Sequence, residues 1–215
     1  MFGLPFDPRA GFEKWEHHRP HWAQSGAVVI VTFRTNDSIP QKVNLLWHQQ
    51  KLEWLRNRGI PCTTWQQGVD QLNSVNRAEF LKVFQRLKEI CLDECHGACH
   101  MRRPEVASIV ATSLLKFDGD RYEMGDFVVM PNHVHLLAVF PDGTAMKKQF
   151  ASWLRFTATE INRLTGNSGS FWQEEPFDHL VRSAEQYDAL RRYIADNPLK
   201  SGLLVGEYLY RRRPD

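Results

Sequence analysis

The chain has 215 residues, 42% hydrophobic and 24% charged, with seven Trp and thirteen Phe, which is enough apolar material for one sizeable core and excludes a disordered protein. A net charge of +2 permits a nucleic-acid partner without establishing one. Four cysteines are too few for a disulfide scaffold, no apolar run approaches the roughly 20 residues of a membrane helix, and the N-terminus lacks a basic start followed by an apolar run. A reducing, cytoplasmic setting with no membrane partner is therefore expected.

A single domain over residues 1–215 is expected. Residues 1–24, rich in Pro, His and Trp without a sustained period, read as an irregular arm whose His17, His18 and His21 are exposed. "GAVVIVTFRT" is a β-branched run bounded by Gly26 and the turn-forming "NDSIP", which predicts a buried strand. Residues 40–58 carry apolar side chains at helical spacing and end at Gly59-Ile60-Pro61. A second helix spans 76–92 with Phe80, Val83, Phe84, Leu87 and Ile90 as its apolar stripe, and a third starts at Pro104 and ends before "DGDRY". Residues 36–101 thus read as a helical insertion after the first strand, more than one crossover needs.

"RYEMGDFVVM" and "HVHLLAVF" read as two strands joined tightly through Pro131-Asn132, a plausible antiparallel hairpin. Residues 145–164 form a long amphipathic helix closed by "TGNSGS", and "PFDHLVRS" is a short strand. The last helix opens on an S-x-x-Q capping box, Ser183 with Gln186, and is stopped by Pro198. Strand, helices, two strands, helix, strand and helix make an α+β order.

Alternate side chains of a strand share a face, so His133, His135, Leu137 and Val139 point one way and both imidazoles converge on one patch. Two neutral imidazoles are good ligands for Mn²⁺ or a similar ion, with oxygen ligands needed to complete a site. Equally open is a structural reading in which one His caps a backbone group and the other lies at a sheet edge. A third alternating histidine would point to a histidine-triad hydrolase, but that position is Leu137.

In the last helix, at about 100° per residue, Tyr187, Leu190 and Ile194 form the buried stripe, while Tyr193 and Asn197 project from one side at i, i+4. A phenol is a competent nucleophile toward a phosphodiester when a metal polarises the phosphate. The alternative is that Tyr193 is a boundary aromatic and Asn197 a helix C-terminal residue before proline.

"VVMPNHVHLL" followed by "YIADNPLKSGLL" resembles the REP-associated tyrosine transposases, a branch of the single-tyrosine HUH nucleases. His133-Val134-His135 matches the His-hydrophobic-His element, and Tyr193, Ile194, Asn197, Pro198 and Lys200 match Tyr-Ile-x-x-Asn-Pro-x-Lys. "GAVVIVTFRT", the helix before "DGDRY" and "FWQEEPFDHLVRS" resemble the flanking blocks in order, so the likeness covers residues 22–35 and 102–205. It implies a ferredoxin-like antiparallel sheet with flanking helices, the HUH nuclease fold, interrupted here by the helical insertion. It further implies Mg²⁺ or Mn²⁺ held by His133, His135 and Asn197, with Tyr193 as the nucleophile that cleaves and rejoins single-stranded DNA beside a hairpin through a 5′-phosphotyrosine. Such a protein acts as a monomer or homodimer. A hairpin-binding protein without cleavage, and a metal-dependent phosphoesterase that uses water, are the competing readings.

Arg34, Lys147, Lys148, Arg191 and Arg192 are candidate DNA phosphate contacts on charge alone. "CLDECHGACHMRR" holds Cys91, Cys95, His96, Cys99 and His100, yet no second ligand pair follows at finger-like spacing and the preceding helix can absorb its first members, so a structural zinc is not expected. Tyr187, at the centre of the apolar stripe, reads as core. Trp153, Phe156 and Trp172 read as packing residues, any exposed one being free to stack on a base.

Overall fold

The computed structural model describes residues 1–17 and 20–214; His18 lies outside the described residues. In chain order, β1 (Glu13–Glu16), β2 (Pro20–Ala23) and β3 (Val28–Arg34) precede the helices α1 (Gln41–Arg56), α2 (Trp65–Asp70) and α3 (Ser74–Asp93). Then come α4 (Pro104–Leu115), β4 (Glu123–Val129), β5 (His133–Val139), α5 (Gly143–Thr165), β6 (Phe177–Leu180), α6 (Ala184–Lys200) and β7 (Leu209–Arg211). The chain divides into two compact units, Met1–Asn36 with Ala98–Asp215, and Asp37–Gly97.

The larger unit is an α+β structure built on an antiparallel sheet of order β6-β3-β5-β4-β7. Leaving out the appended edge strand β7, the succession β3, α4, β4, β5, α5, β6 in the spatial order β6-β3-β5-β4 is the ferredoxin-like arrangement. β3 and β5 are central because their sequences allow it: VVIVTFR and HVHLLAV are apolar on both faces, and a strand covered on both sides must be. One face carries Val29, Val31, Phe33, Val134, Leu136 and Ala138, packed with Val106, Val110 and Leu114 of α4 and Met146, Phe150, Trp153 and Ile161 of α5 in one core cluster. The spacing of those α5 residues is the 3.6-residue period that makes one apolar stripe. Asp142 caps α5 by accepting a hydrogen bond from the Ala145 amide, worth about 1 kcal/mol. Strand alternation sends the other face toward α6, whose Tyr187 and Ile194 are buried as the helical angles require. Trp153 and Trp172 are buried with the core, whereas Phe156 is exposed.

The smaller unit is helical. Leu55, Val69, Leu72 and Phe80 form one cluster, and Ile39, Cys91 and Leu92 another. Of the stripe expected on α3, Phe80 is buried but Val83 and Ile90 are exposed, because two small clusters near the ends of the helix replace one continuous core. Among the described residues no helix is long and apolar enough to cross a membrane.

Three local expectations are corrected. The helix α6 does not stop at Pro198 but continues to Lys200: the ring is buried, and at the last turn the missing N–H removes only one helical bond. The capping box is also shifted, since Ser183 accepts from the Gln186 amide while Gln186 Oε1 accepts from Arg182 rather than from Ser183. The arm of residues 1–24 contains a hairpin, β1 paired with β2, so it is not irregular throughout.

His21 is a fourth correction. It is 3% exposed, its ring stacked on Trp15, with Nε2 at 2.6 Å from Glu175 Oε1 and Nδ1 bonded to Asp178 Oδ1. The two carboxylates lie just before and within β6, so no local pattern could pair them with the arm. Burial opposes the imidazolium, but the hydrogen bonds and charges of Asp178 and Glu175 outweigh it and raise the His21 pKa above its usual 6.5. Burial likewise raises the Asp178 carboxyl, against the pull of His21. The contribution of His21 is therefore fully present below pH 6.5 and is lost as pH rises through its elevated folded value. Urea unfolding across that window should show stability falling with pH, and His21→Gln should flatten this slope and cost about 3 kcal/mol by leaving buried carboxylates without a cation.

Candidate active site

The register of β3 against β5 determines which side chains meet on the α6 face. Thr32 lies opposite His135 and Arg34 opposite His133, so all four share one face. Thr32 Oγ1 and His135 Nδ1 are 2.8 Å apart, and Tyr193 Oη reaches His135 Nε2 at 3.2 Å. With the proton on Nδ1, His135 donates to Thr32 and accepts from the phenol through Nε2. The His135 and Tyr193 ring centroids are 5.1 Å apart, and those of His133 and His135 4.7 Å.

His133 is fully buried, and its Nδ1 is 2.7 Å from Asn132 Oδ1. An amide oxygen only accepts, so Nδ1 carries the proton and Nε2 presents its lone pair. That buried Nε2 makes no hydrogen bond. Burial, and then the neighbouring His135, hold the His133 pKa well below its ordinary value, while the Asn197 side chain favours the protonated form. The ring is neutral at physiological pH, as a metal ligand must be. Asn197, also fully buried, thus faces His133 from α6, one turn beyond Tyr193.

A bulge in β4 fixes the helix. Pairing with β5 jumps from Met124–Ala138 to Phe127–Leu136, leaving Gly125 and Asp126 opposite Leu137. A Cβ at Gly125 would stand 2.7 Å from the Phe2 ring and 2.9 Å from Leu137 Cβ, so only glycine fits. The bulge turns the buried Asp126 carboxylate toward α6, where Arg191 Nε donates to it at 2.9 Å; the Arg213 amide, also at 2.9 Å, donates to its Oδ1.

The structure brings His133, His135, Tyr193 and Asn197 together and sets Arg34 beside His133. Arg191 is tied to Asp126, and Arg192 is exposed on α6. Lys147 and Lys148 are exposed on α5, in the layer covering the opposite face of the sheet. Sequence reasoning missed Thr32 and Asp126. Strand alternation could have found Thr32, which with Arg34 forms the polar end of one face of β3; Asp126 depends on the bulge and left no such signal. Lys200, with Nζ 5.6 Å from the Tyr193 ring centroid, adds a cation beside the phenol.

No family model matches the chain. A REP-associated tyrosine transposase of Escherichia coli (strain K12) is 29% identical over 91 residues, 42% of this chain and 53% of the relative. The chain therefore matches about half the length of that curated relative. A solved structure of a REP-associated tyrosine transposase bound to a REP hairpin aligns with a TM-score of 0.43 and 17% identity, over 88% of this chain and 76% of that one. The curated relative carries the family name to which the His133-Val134-His135 and Tyr193–Lys200 elements point: the chain is similar to the REP-associated tyrosine transposases.

Proposed function

We propose that this protein is a metal-dependent tyrosine transposase and endonuclease that cleaves and rejoins single-stranded DNA at hairpin elements through a 5′-phosphotyrosine. The observation that carries this reading is the convergence of Tyr193 Oη on His135 Nε2, 3.2 Å away, beside a buried His133 whose Nε2 makes no hydrogen bond. The curated relative, whose own name is that of a REP-associated tyrosine transposase, supports it. The helical unit is then an insertion in a single transposase-like domain.

The donor set fits the ion this chemistry needs. Two neutral imidazoles and an amide oxygen, from His133, His135 and Asn197, suit Mn²⁺ or Mg²⁺, and an orphaned buried nitrogen is a cost that a ligand removes. Bound there, the ion would polarise the scissile phosphate. Tyr193 Oη supplies the nucleophile: an Oη–P bond forms, the P–O3′ bond breaks, and the 3′-oxygen leaves as a hydroxyl that takes up the proton the phenol gives up. Because one phosphodiester replaces another, rejoining needs no nucleotide cofactor. Arg34, opposite His133, and Lys200, beside the Tyr193 ring, are the phosphate contacts this reading favours, while Arg192 lines a groove on the flank of α6 with Asp126, Tyr210 and Arg212. Arg191 acts first to hold α6, and Lys147 and Lys148 would meet only DNA that wraps to the opposite layer.

Two measurements test the reading. Incubating the protein with labelled single-stranded hairpin DNA and Mn²⁺ should give a denaturant-resistant protein–DNA adduct that Tyr193→Phe abolishes. Hairpin binding without an adduct would make the protein a binder, and phosphodiester cleavage that survives Tyr193→Phe would make it a water-using phosphoesterase. Thr32→Val, which keeps the side-chain shape but removes the partner of His135 Nδ1, should weaken Mn²⁺ binding about tenfold or more, read by calorimetric titration, with the far-UV circular dichroism unchanged.

A further inference from the structure

The helical unit carries a second cluster of metal-binding chemistry, separate from the histidine pair. Near the end of α3, Cys91 Sγ, a Glu94 carboxylate oxygen and a His96 ring nitrogen all lie within 4.8 Å of one another. Cys91 is buried against Ile39 and Leu92, whereas Glu94 and His96 reach solvent. Tetrahedral ligands around a zinc-like ion sit roughly 3.5 Å apart, so side-chain rotation suffices to close these three on one centre.

The backbone at this point is built to bring them together. Cys91 and Glu94 are three residues apart and share a helix face. The helix ends at Asp93, and Cys95 then adopts φ 51°, a left-handed conformation uncommon for a side chain with a Cβ. That reversal folds His96 back, where its Nε2 meets Glu94 Oε2 at 2.8 Å. Gly97 follows at φ 94°, and a Cβ there would stand 2.7 Å from the Asp37 carboxyl, so the turn docks closely on the residue that opens the unit. The cluster thus lies where the two chain ends of the helical unit meet.

We propose that Cys91, Glu94 and His96 bind a zinc-class divalent cation that pins the left-handed turn at Cys95 onto the end of α3. Thiolate, imidazole and carboxylate together select Zn²⁺ over the hard ions suited to the histidine pair. Cys91 gives up its thiol proton to solvent as the metal–sulfur bond forms, and the fourth position takes water. A unit whose buried apolar residues fall into two small clusters has little core to hold it, which is where a structural ion contributes most.

Cobalt(II) distinguishes the sites, because only a thiolate ligand gives a sulfur-to-metal charge-transfer band. Titrating the chelator-treated full chain should develop that band to one equivalent, and Zn²⁺ should displace it. The band should persist when His133→Ala and His135→Ala are combined, and disappear in Cys91→Ser. Glu94→Gln, at an exposed position, and His96→Gln, at a half-buried one, should weaken the binding about tenfold or more, as should be seen with Zn²⁺ competition. Absence of a thiolate band in the full chain, a band that survives Cys91→Ser, unchanged affinity in both His96→Gln and Glu94→Gln, or loss of the band with the histidine pair would each overturn the proposal.

Discussion

His133, buried in a central strand, is held neutral, and the partner taken by Nδ1 of each imidazole decides where its Nε2 is presented; this constraint organises the site. β5 is covered on both faces, so a cation at the fully buried His133 would cost several kcal/mol of desolvation. Nδ1 of His133 is engaged by its sequence neighbour Asn132, and Nδ1 of His135 by Thr32 across the sheet. In both rings Nδ1 is the nitrogen engaged by the local partner, which aims both Nε2 atoms at α6. The antiparallel register of β3 and β5 is therefore a chemical determinant as well as a structural one: a slip of one residue would carry Thr32 to the opposite face and leave His135 untethered.

The helix that answers these nitrogens is held at several points along its length. Ser183 closes its first turn, Tyr187 and Ile194 bury it against the sheet, and the Asp126–Arg191 pair locks it two residues before the phenol. Tyr193 is thereby placed by packing it does not itself provide. Asn197 then falls one turn further along the same side, and the buried Pro198 continues the helix just far enough to set Lys200 beside the phenol.

How much of this was legible in the sequence follows from which forces are local. Alternation in "HVHLLAVF" and the helical angles of "YIADNP" depend only on backbone geometry, so the shared face of His133 and His135 and the pairing of Tyr193 with Asn197 were readable before any fold was known. Thr32 was half legible: its face could be inferred, its partner could not, because the register that joins it to His135 spans 103 residues. The His21–Asp178–Glu175 cluster and the Asp126 bulge were not legible, since each exists only when distant segments are already packed. Strand β7 was hidden for a different reason: three partly buried residues in a basic tail carry too short a period to register.

The net charge of +2 says little about an anionic partner, whereas the placement of individual cations says more. Exposed charges are screened beyond about 8 Å at physiological ionic strength, so a lysine on the α4/α5 layer contributes little to the potential at Tyr193. Arg34 beside His133, and Lys200 beside the phenol, lie within that range of the site's own side chains. Asp126 sharpens the contrast, because by neutralising Arg191 it removes one cation from the exposed set and converts its charge into the positioning of α6. The same helix thus uses one arginine to hold the tyrosine in place and leaves the next, Arg192, exposed to solvent, a division of labour that bulk charge cannot reveal.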